Sequence, residues 1–152
     1  YLGSATERQN NPELRQRAHN YAQHLIQQAQ ADTQIFSDGS VRGESRKRSG
    51  YGYVIRRNDR TLHSASKPLS TQSIAIAEMQ GLTDAAKYVL HQLQSSRSTT
   101  FFCDNKYVVQ VANDIYTCNN KHFELALELH QTLFALRHSN ITRYFYFMFV
   151  FN

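Results

Sequence analysis

The chain has 152 residues, of which 41% are hydrophobic, which predicts one domain with a sizeable core. Its net charge of +5 favours a polyanionic partner, with nucleic acid ahead of a membrane surface. No apolar run reaches the ~18 residues that a membrane-spanning helix needs, no signal peptide is evident, and the two cysteines form no CxxC pair. We therefore expect no membrane partner, no disulfide framework and an intracellular location, cytoplasmic or nuclear.

Residues 1–33 are polar and rich in glutamine. Pro12 is typical of the first turn of a helix, and the residues after it predict a helix with few apolar side chains. We interpret residues 1–33 as a polar N-terminal linker or helix and place the organised domain at residues 34–152. The first residue is Tyr1 rather than Met, which indicates a fragment or a processed product of a longer protein.

Three strands are predicted next, joined as an antiparallel meander. The first strand is expected to end at Asp38-Gly39, a turn signal, and a charged loop follows it. Asn58-Asp59 predicts a tight turn between the second and third strands, and the third strand is expected to stop at Pro68. The charged loop is predicted to carry the basic residues Arg42, Arg46, Lys47 and Arg48.

A helix is predicted from Ser73 to Leu93, with Thr71 or Ser73 as its N-cap. At about 100° per residue, its apolar side chains fall on one arc, and Glu78 lies in the middle of that arc. Burying an ionised carboxylate without compensation is very unfavourable. Glu78 is therefore a candidate functional residue.

The remaining chain predicts a short buried strand in "TTFFCD", helices in "NKYVVQVANDI" and "HFELALELHQTLFALRH", and a last strand in "ITRYFYFMFVF". The last strand is apolar at every position around Tyr144 to Phe151, which predicts burial on both faces of a sheet. The element order is β-β-β-α-β-α-α-β. This order predicts an α/β fold with a mixed sheet and helices packed on it.

Two further acidic residues, Asp38 and Asp104, follow apolar strand residues and have no obvious basic partner nearby in the sequence. Carboxylates from three separate elements, these two and Glu78, can be stabilised by converging on a cation. Ligation by oxygen alone favours Mg²⁺ or Mn²⁺ over zinc. Other interpretations stay open, because Asp38 suits a turn, Asp104 could cap the next helix, and Glu78 could bond a buried arginine.

Four short motifs occur in order along the chain: "FSDGS", "GYGYVI", "AEMQGL" and "FFCDNKYVV". Glu78 follows Asp38 by 40 residues, and Asp104 follows Glu78 by 26 residues. In these motifs and intervals, residues 34–151 resemble the type I ribonuclease H family, and within it the domains of retroelement reverse transcriptases. The resemblance implies a five-stranded mixed sheet, antiparallel in its first three strands and flanked by helices.

The resemblance also implies an activity, which is divalent-metal-dependent hydrolysis of the RNA strand of RNA–DNA hybrids, within a reverse transcriptase or larger polyprotein. Asp38, Glu78 and Asp104 match the family's catalytic carboxylates, which hold Mg²⁺ or Mn²⁺, and Asp38 would be best placed to bridge two ions. Asn105 stands where the family often has serine. Candidate nucleic-acid contacts are Arg42, Arg46, Lys47, Arg48, Gln72 and Asn105.

One departure concerns the end of the sequence. The family usually continues past its fifth strand with a loop that carries histidine and a helix that carries a fourth aspartate, whereas this sequence stops at Asn152. We therefore expect the family's last helix to be absent. The alternative function is a catalytically impaired nucleic-acid-binding or structural module, or a retroelement remnant.

Overall fold

The computed structural model of the chain describes residues 5–28, 33–42, 48–71, 73–93, 96–138 and 142–149. The chain divides into two compact units, one formed by Tyr1–Gln30 with Val150–Asn152, the other by Ala31–Phe149. None of the described helices is both long and apolar enough to cross a membrane.

The first unit contains helices α1 (Ala5–Asn10) and α2 (Pro12–Gln28). The predicted helix beginning at Pro12 is confirmed, whereas α1 was not predicted. Asn11 separates the two helices, and its side-chain oxygen accepts hydrogen bonds from the backbone N–H groups of Glu13, at 3.0 Å, and Leu14, at 3.3 Å. These bonds satisfy donors that the first turn of α2 would otherwise leave without partners.

In the second unit, the described residues form a five-stranded sheet with the order β3-β2-β1-β4-β5. β1 is antiparallel to β2 and parallel to β4, β2 is antiparallel to β3, and β4 is parallel to β5. The predicted mixed sheet and order of elements are therefore confirmed. The strands are β1 (Thr33–Arg42), β2 (Arg48–Arg57), β3 (Arg60–Leu69), β4 (Ser96–Cys103) and β5 (Thr142–Phe149), and the helices are α3 (Ile74–Gln92), α4 (Lys106–Asn113) and α5 (Phe123–His138).

The first strand is longer than predicted. β1 does not end at Asp38-Gly39 but continues to Arg42, and β2 already begins at Arg48, so these two arginines lie in strands rather than in a loop. Gly39 therefore lies inside a strand, where a glycine often marks the close approach of another element to the backbone. Arg46 and Lys47, also predicted for the loop, lie outside the described residues.

The turn between β2 and β3 is as predicted. Asn58 and Asp59 both have positive φ values, 51° and 62°. Two successive residues in the left-handed region are typical of the tight turns whose twist matches that of a β-hairpin, and Asn and Asp tolerate this conformation well.

The core of the second unit brings together side chains from β1, β2 and β4 with those of α3, α4 and α5. Tyr51 and Tyr53 of β2 are both buried. The predicted burial of β5 on both faces concerns side chains outside those that the structure describes. The largest fully buried side chains include Phe101, Phe102, Ile35, Ile55, Met79, Leu82 and Leu129.

Candidate metal centre

Helix α3 carries Glu78 into the interior. Ser73 is its N-cap, and the Ser73 hydroxyl accepts a hydrogen bond from the backbone N–H of Ile76 at 3.3 Å. The hydroxyl of Thr71, the other predicted cap, accepts from the backbone N–H of Ser73 instead. Glu78 lies in the second turn of the helix and is only 2% exposed, which confirms that the apolar arc of the helix holds a buried carboxyl group.

Asp38 lies in β1, and Asp104 directly follows β4, the strand that pairs with β1 in parallel. Phe36 of β1 is in register with Phe102 of β4, and each aspartate follows its phenylalanine by two residues. Because of this register, Asp38 and Asp104 lie at the same level of the sheet, on neighbouring chain segments about 4.8 Å apart. Asp38 is exposed and Asp104 is half-buried, so the two aspartates lie on the solvent side of Glu78.

Hydrogen bonds connect Glu78 to both strands. In its protonated form the Glu78 carboxyl group has one O–H, which can donate to the carboxylate of either Asp38 or Asp104, and the backbone N–H of Gly39 donates to the Glu78 carboxyl group. The Cys103 thiol donates to Oε2 of Glu78 at 3.6 Å. Glu78 thus interacts with two further carboxyl groups, that of Asp38 in β1 and that of Asp104 after β4.

The electrostatics of this cluster favour a proton on Glu78. Burial, together with the negative charges of Asp104 and Asp38, raises the pKa of Glu78 to about 8, although the Gly39 N–H acts in the opposite direction. Partial burial of its carboxyl group and the charge of Asp104 also raise the pKa of Asp38. Three negative charges are costly in so small a volume.

The donor set fits a divalent cation. Ligand atoms of Glu78, Cys103 and Asp104 all lie within 4.8 Å of one another. Among the described residues, no basic side chain contributes to the shifted pKa of Glu78, so the interpretation as a partner of a buried arginine finds no support there. Carboxylate oxygens are ligands that suit Mg²⁺ or Mn²⁺.

Cys103 was not predicted as part of this cluster. It is 1% exposed, and burial raises the pKa of its thiol well above the usual range, with the neighbouring Glu78 charge adding to the effect. A protonated thiol is a poor metal ligand, so Cys103 serves here as a buried neighbour and hydrogen-bond donor. Its place directly before Asp104 is the one sequence signal that could have indicated it.

Asn105, rather than Asp104, caps the next helix. Its side-chain oxygen accepts a hydrogen bond from the backbone N–H of Val108 at 3.1 Å, and its own backbone N–H donates to the sulfur of Cys103 at 3.5 Å. The interpretation of Asp104 as a helix cap is therefore wrong. The cap instead fixes the start of α4 immediately after the carboxylate, because Asn is a favoured N-cap residue.

Two predicted nucleic-acid contacts lie at the far end of the β1–β2 hairpin. Arg42 and Arg48 are register partners across these strands, and both are exposed. Arg42 lies on the same face of β1 as Asp38, four residues and about 13 Å further along the strand. Gln72, like Arg46 and Lys47, lies outside the described residues.

Comparisons with known proteins agree with this architecture. The family model for RNase H matches residues 30–148. No curated protein sequence matches the chain.

Solved structures show the same fold. The chain is similar to the N-terminal RNase H domain of Rv2228c from Mycobacterium tuberculosis, with 19% identity, a TM-score of 0.65, and coverage of 79% of this chain and 87% of that one. It is also similar to RNase H1 from Halobacterium salinarum, with 13% identity, a TM-score of 0.65, and coverage of 79% and 86%.

A third structure is a reverse transcriptase. The foamy viral protease-reverse transcriptase in complex with RNA/DNA hybrid matches with 18% identity and a TM-score of 0.63, over 80% of this chain and 17% of that one. The match to the family model spans most of the sequence and coincides with the sheet and helices that surround Glu78. The chain belongs to the ribonuclease H family.

Proposed function

We propose that the chain hydrolyses the RNA strand of RNA–DNA hybrids with the help of Mg²⁺ or Mn²⁺. The observation that carries this proposal is the convergence of Asp38 and Asp104 on the buried Glu78, whose raised pKa has no basic side chain among its causes. Membership of the ribonuclease H family supports the reaction class. The foamy viral enzyme, which was solved with an RNA/DNA hybrid, supports the substrate class.

In this proposal Asp38, Glu78 and Asp104 hold the divalent cation. A bound ion of this kind supplies a polarised water molecule and stabilises the leaving oxygen of a phosphodiester. The protein orients the ligands, since the Gly39 N–H holds the Glu78 carboxyl group and the parallel pairing of β1 with β4 sets Asp38 beside Asp104. Burial of Glu78 at 2% exposure keeps bulk water from the inner side of the cluster.

The basic hairpin end would hold the substrate. Arg42 and Arg48 present two guanidinium groups for backbone phosphates. Asn105 directly follows Asp104, and its side-chain amide N–H groups form no hydrogen bond with the residues that the structure describes. Arg46, Lys47 and Gln72 remain predicted contacts in the same role. The 2′-hydroxyl groups of the RNA strand provide the feature that separates a hybrid from duplex DNA.

The structural neighbours also suggest a setting for the domain. We assign the activity to residues 34–152, with residues 1–33 as a polar N-terminal linker or helix. The similarity to a part of the foamy viral reverse transcriptase supports a retroelement reverse transcriptase or polyprotein as the larger protein.

The proposal is tested by incubating the chain with an end-labelled RNA–DNA hybrid in Mg²⁺ and, separately, in Mn²⁺. We expect cleavage of the RNA strand, no cleavage of the DNA strand, and loss of activity in EDTA. Glu78→Gln should lower the cleavage rate by at least about 100-fold, because it removes a charged ligand. The matched control is Glu124→Gln, which changes an exposed glutamate of α5 and should leave the rate unchanged.

One outcome separates the two predicted functions. If the folded wild-type chain binds the hybrid but cleaves neither strand with either metal, the hydrolytic proposal is wrong. The catalytically impaired nucleic-acid-binding module would then be the better description, with binding that falls steeply as salt is added and needs no divalent metal.

A further inference from the structure

A cleft of about 250 Å³ opens beside α3 and is lined by residues of β2, β3 and the second half of the helix. Lys87, one of its lining residues, follows Glu78 by nine positions, which places it about 13 Å further along α3 and on the opposite side of the helix. The cleft is therefore separate from the carboxylate cluster. It contains basic, acidic and aromatic side chains, so its chemistry depends on which of their polar atoms already have partners.

The acidic group of the cleft is fully engaged. The hydroxyl of Tyr51 donates a hydrogen bond to Oδ2 of Asp84, and the side-chain amide of Gln80 donates to Oδ1 at 3.0 Å. The ammonium group of Lys67 lies 3.6 Å from Oδ2. Both carboxylate oxygens of Asp84 thus have donors, and the carboxylate is held as a structural acceptor rather than offered to a ligand.

The basic groups keep donors available. Lys67 forms its ion pair with Asp84, and Lys87 forms one with Glu128 of α5. A lysine ammonium group has three N–H donors and no acceptor, so one ion pair on each leaves further donors that can serve the cleft. Lys67 is exposed and Lys87 is half-buried, so both can be reached from solvent.

Tyr53 provides a further donor. Its side chain is 6% exposed and lines the cleft, and its hydroxyl makes no hydrogen bond with any other residue that the structure describes. Burial, together with the nearby Tyr88, raises the pKa of Tyr53, so the hydroxyl keeps its proton at neutral pH. An acceptor bound in the cleft could therefore receive a hydrogen bond from this hydroxyl.

Aromatic stacking gives the cleft a firm wall. The ring of His63 on β3 stacks on Tyr88 with ring centroids 3.8 Å apart and 1° between the ring planes. His63 also contacts Tyr53, at a centroid distance of 5.7 Å. These contacts link α3 to β2 and β3, so the donors lie on connected elements rather than on a loop.

We propose that this cleft binds a phosphate group. The donors that remain are the ammonium groups of Lys67 and Lys87 and the hydroxyl of Tyr53, while the carboxylate of Asp84 is already satisfied. A set rich in donors and poor in free acceptors matches a phosphate, which offers only acceptor oxygens. The phosphate could belong to a free nucleotide or polyphosphate, or to the backbone of a nucleic acid.

The test is a titration of the full chain with inorganic pyrophosphate in EDTA. Binding is measured by calorimetry and by the chemical-shift changes of backbone amides in NMR spectra. We expect saturable binding, with shifts centred on Tyr53 and Tyr88. The double variant Lys67→Gln/Lys87→Gln should weaken pyrophosphate binding by at least about tenfold, because a loss of this size corresponds to one charge-assisted hydrogen bond. Tyr53→Phe, which removes only the hydroxyl, should weaken it by a smaller factor and keeps the test valid if Lys87→Gln disturbs folding.

The matched control replaces two exposed lysines elsewhere, Lys106→Gln with Lys121→Gln, and removes the same charge. Absence of saturable binding, or an equal loss of affinity in this control, would overturn the proposal. Because the titration contains no divalent metal and measures no cleavage, its result does not depend on the proposed hydrolysis.

A competition experiment distinguishes the two sources of phosphate, both of which support the site. If a saturating short RNA–DNA hybrid displaces pyrophosphate, and the lysine double variant weakens hybrid binding, the ligand is a backbone phosphate. If pyrophosphate binds equally well in the presence of the hybrid, the cleft takes a free phosphate compound.

Discussion

Gly39 of β1 and Ala77 of α3 approach each other so closely that no side chain fits between them. A Cβ atom placed on Gly39 would lie 2.9 Å from the Cβ of Ala77 and 2.8 Å from the backbone nitrogen of Glu78. The missing side chain lets the strand reach the helical turn that carries Glu78, so the Gly39 N–H can donate to the Glu78 carboxyl group. Packing and the proposed metal binding therefore depend on the same contact.

The first prediction follows from this contact. Gly39→Ala should lower the free energy of unfolding by about 1–3 kcal/mol, because the methyl group pushes β1 away from α3. The same movement should weaken Mg²⁺ binding. Urea unfolding and calorimetric titration with Mg²⁺ measure the two effects.

Gly52→Ala is the matched control for Gly39→Ala. A Cβ atom at Gly52 would meet its nearest atom, the carbonyl oxygen of Ala65, at 3.5 Å, which is ordinary van der Waals contact. Equal losses of stability in the two variants would contradict a specific role for the Gly39–Ala77 contact.

The second prediction concerns pH. The pKa of Glu78 is about 8 in the folded protein, against an ordinary value of 4.5, so between these values the folded state binds a proton that the unfolded chain has released. The stability from Glu78 is fully present below pH 4.5 and is lost as pH rises through about 8. In EDTA, we expect the free energy of unfolding to fall over this range by up to about 1.4 kcal/mol per pH unit.

Urea unfolding at several pH values checks the slope, and Glu78→Gln should flatten it, because glutamine does not titrate. Saturating Mg²⁺ should also reduce or reverse the fall, since a divalent ion binds the ionised form. A slope that stays the same in Glu78→Gln would assign the titration to another group.

The third prediction separates two roles of Asn105. Asn105→Ala should lower the free energy of unfolding by about 1 kcal/mol, since it removes the cap of α4. Asn105→Ser keeps a capping oxygen but lacks the amide N–H groups, so it should retain stability and bind the hybrid more weakly. Hybrid affinity that is unchanged in Asn105→Ser would limit Asn105 to its structural role.

The fourth prediction addresses the hairpin arginines. Like charges directly opposite each other on paired strands repel, so Arg42 and Arg48 are unfavourably placed until an anion lies between them. Arg42→Gln with Arg48→Gln should reduce the salt dependence of hybrid binding by about one to two units of slope. Filter binding at several salt concentrations, in a Glu78→Gln background that leaves the hybrid intact, measures this slope.

Arg56→Gln is the control for the arginine pair. Arg56 is exposed and lies on β2, as Arg48 does, but at the other end of that strand. Its guanidinium group donates a hydrogen bond to the backbone oxygen of Asp59. A salt slope that changes as much in this variant as in the Arg42/Arg48 variant would point to overall charge rather than to the hairpin end.

The sequence predicted those features that depend on a regular period or a local signal. The helical period located Glu78 in the interior, where it is 2% exposed, and Asn58-Asp59 marked its turn through residues that tolerate positive φ. The alternation of strands and helices was sufficient for the mixed sheet. These features are set mainly by neighbours along the chain.

The features that were missed depend on contacts between distant segments. A glycine suits both a turn, which the sequence predicted at Gly39, and a close contact between a strand and a helix. Only the position of Ala77 shows that Gly39 serves the contact. The thiol of Cys103 joins the cluster because α3 lies against β4, and the choice of Asn105 over Asp104 as the cap depends on where β4 ends. Such contacts leave no periodic pattern in a single sequence.

The two free cysteines differ in accessibility, because Cys103 is 1% exposed and Cys118 is half-buried. A thiol reagent can modify Cys103 only after β4 and α3 separate, so its alkylation rate measures how often the interior around Glu78 opens. Cys118 is an internal reference in the same molecule. Divalent metal that binds the neighbouring carboxylates should slow alkylation of Cys103 and leave that of Cys118 unchanged.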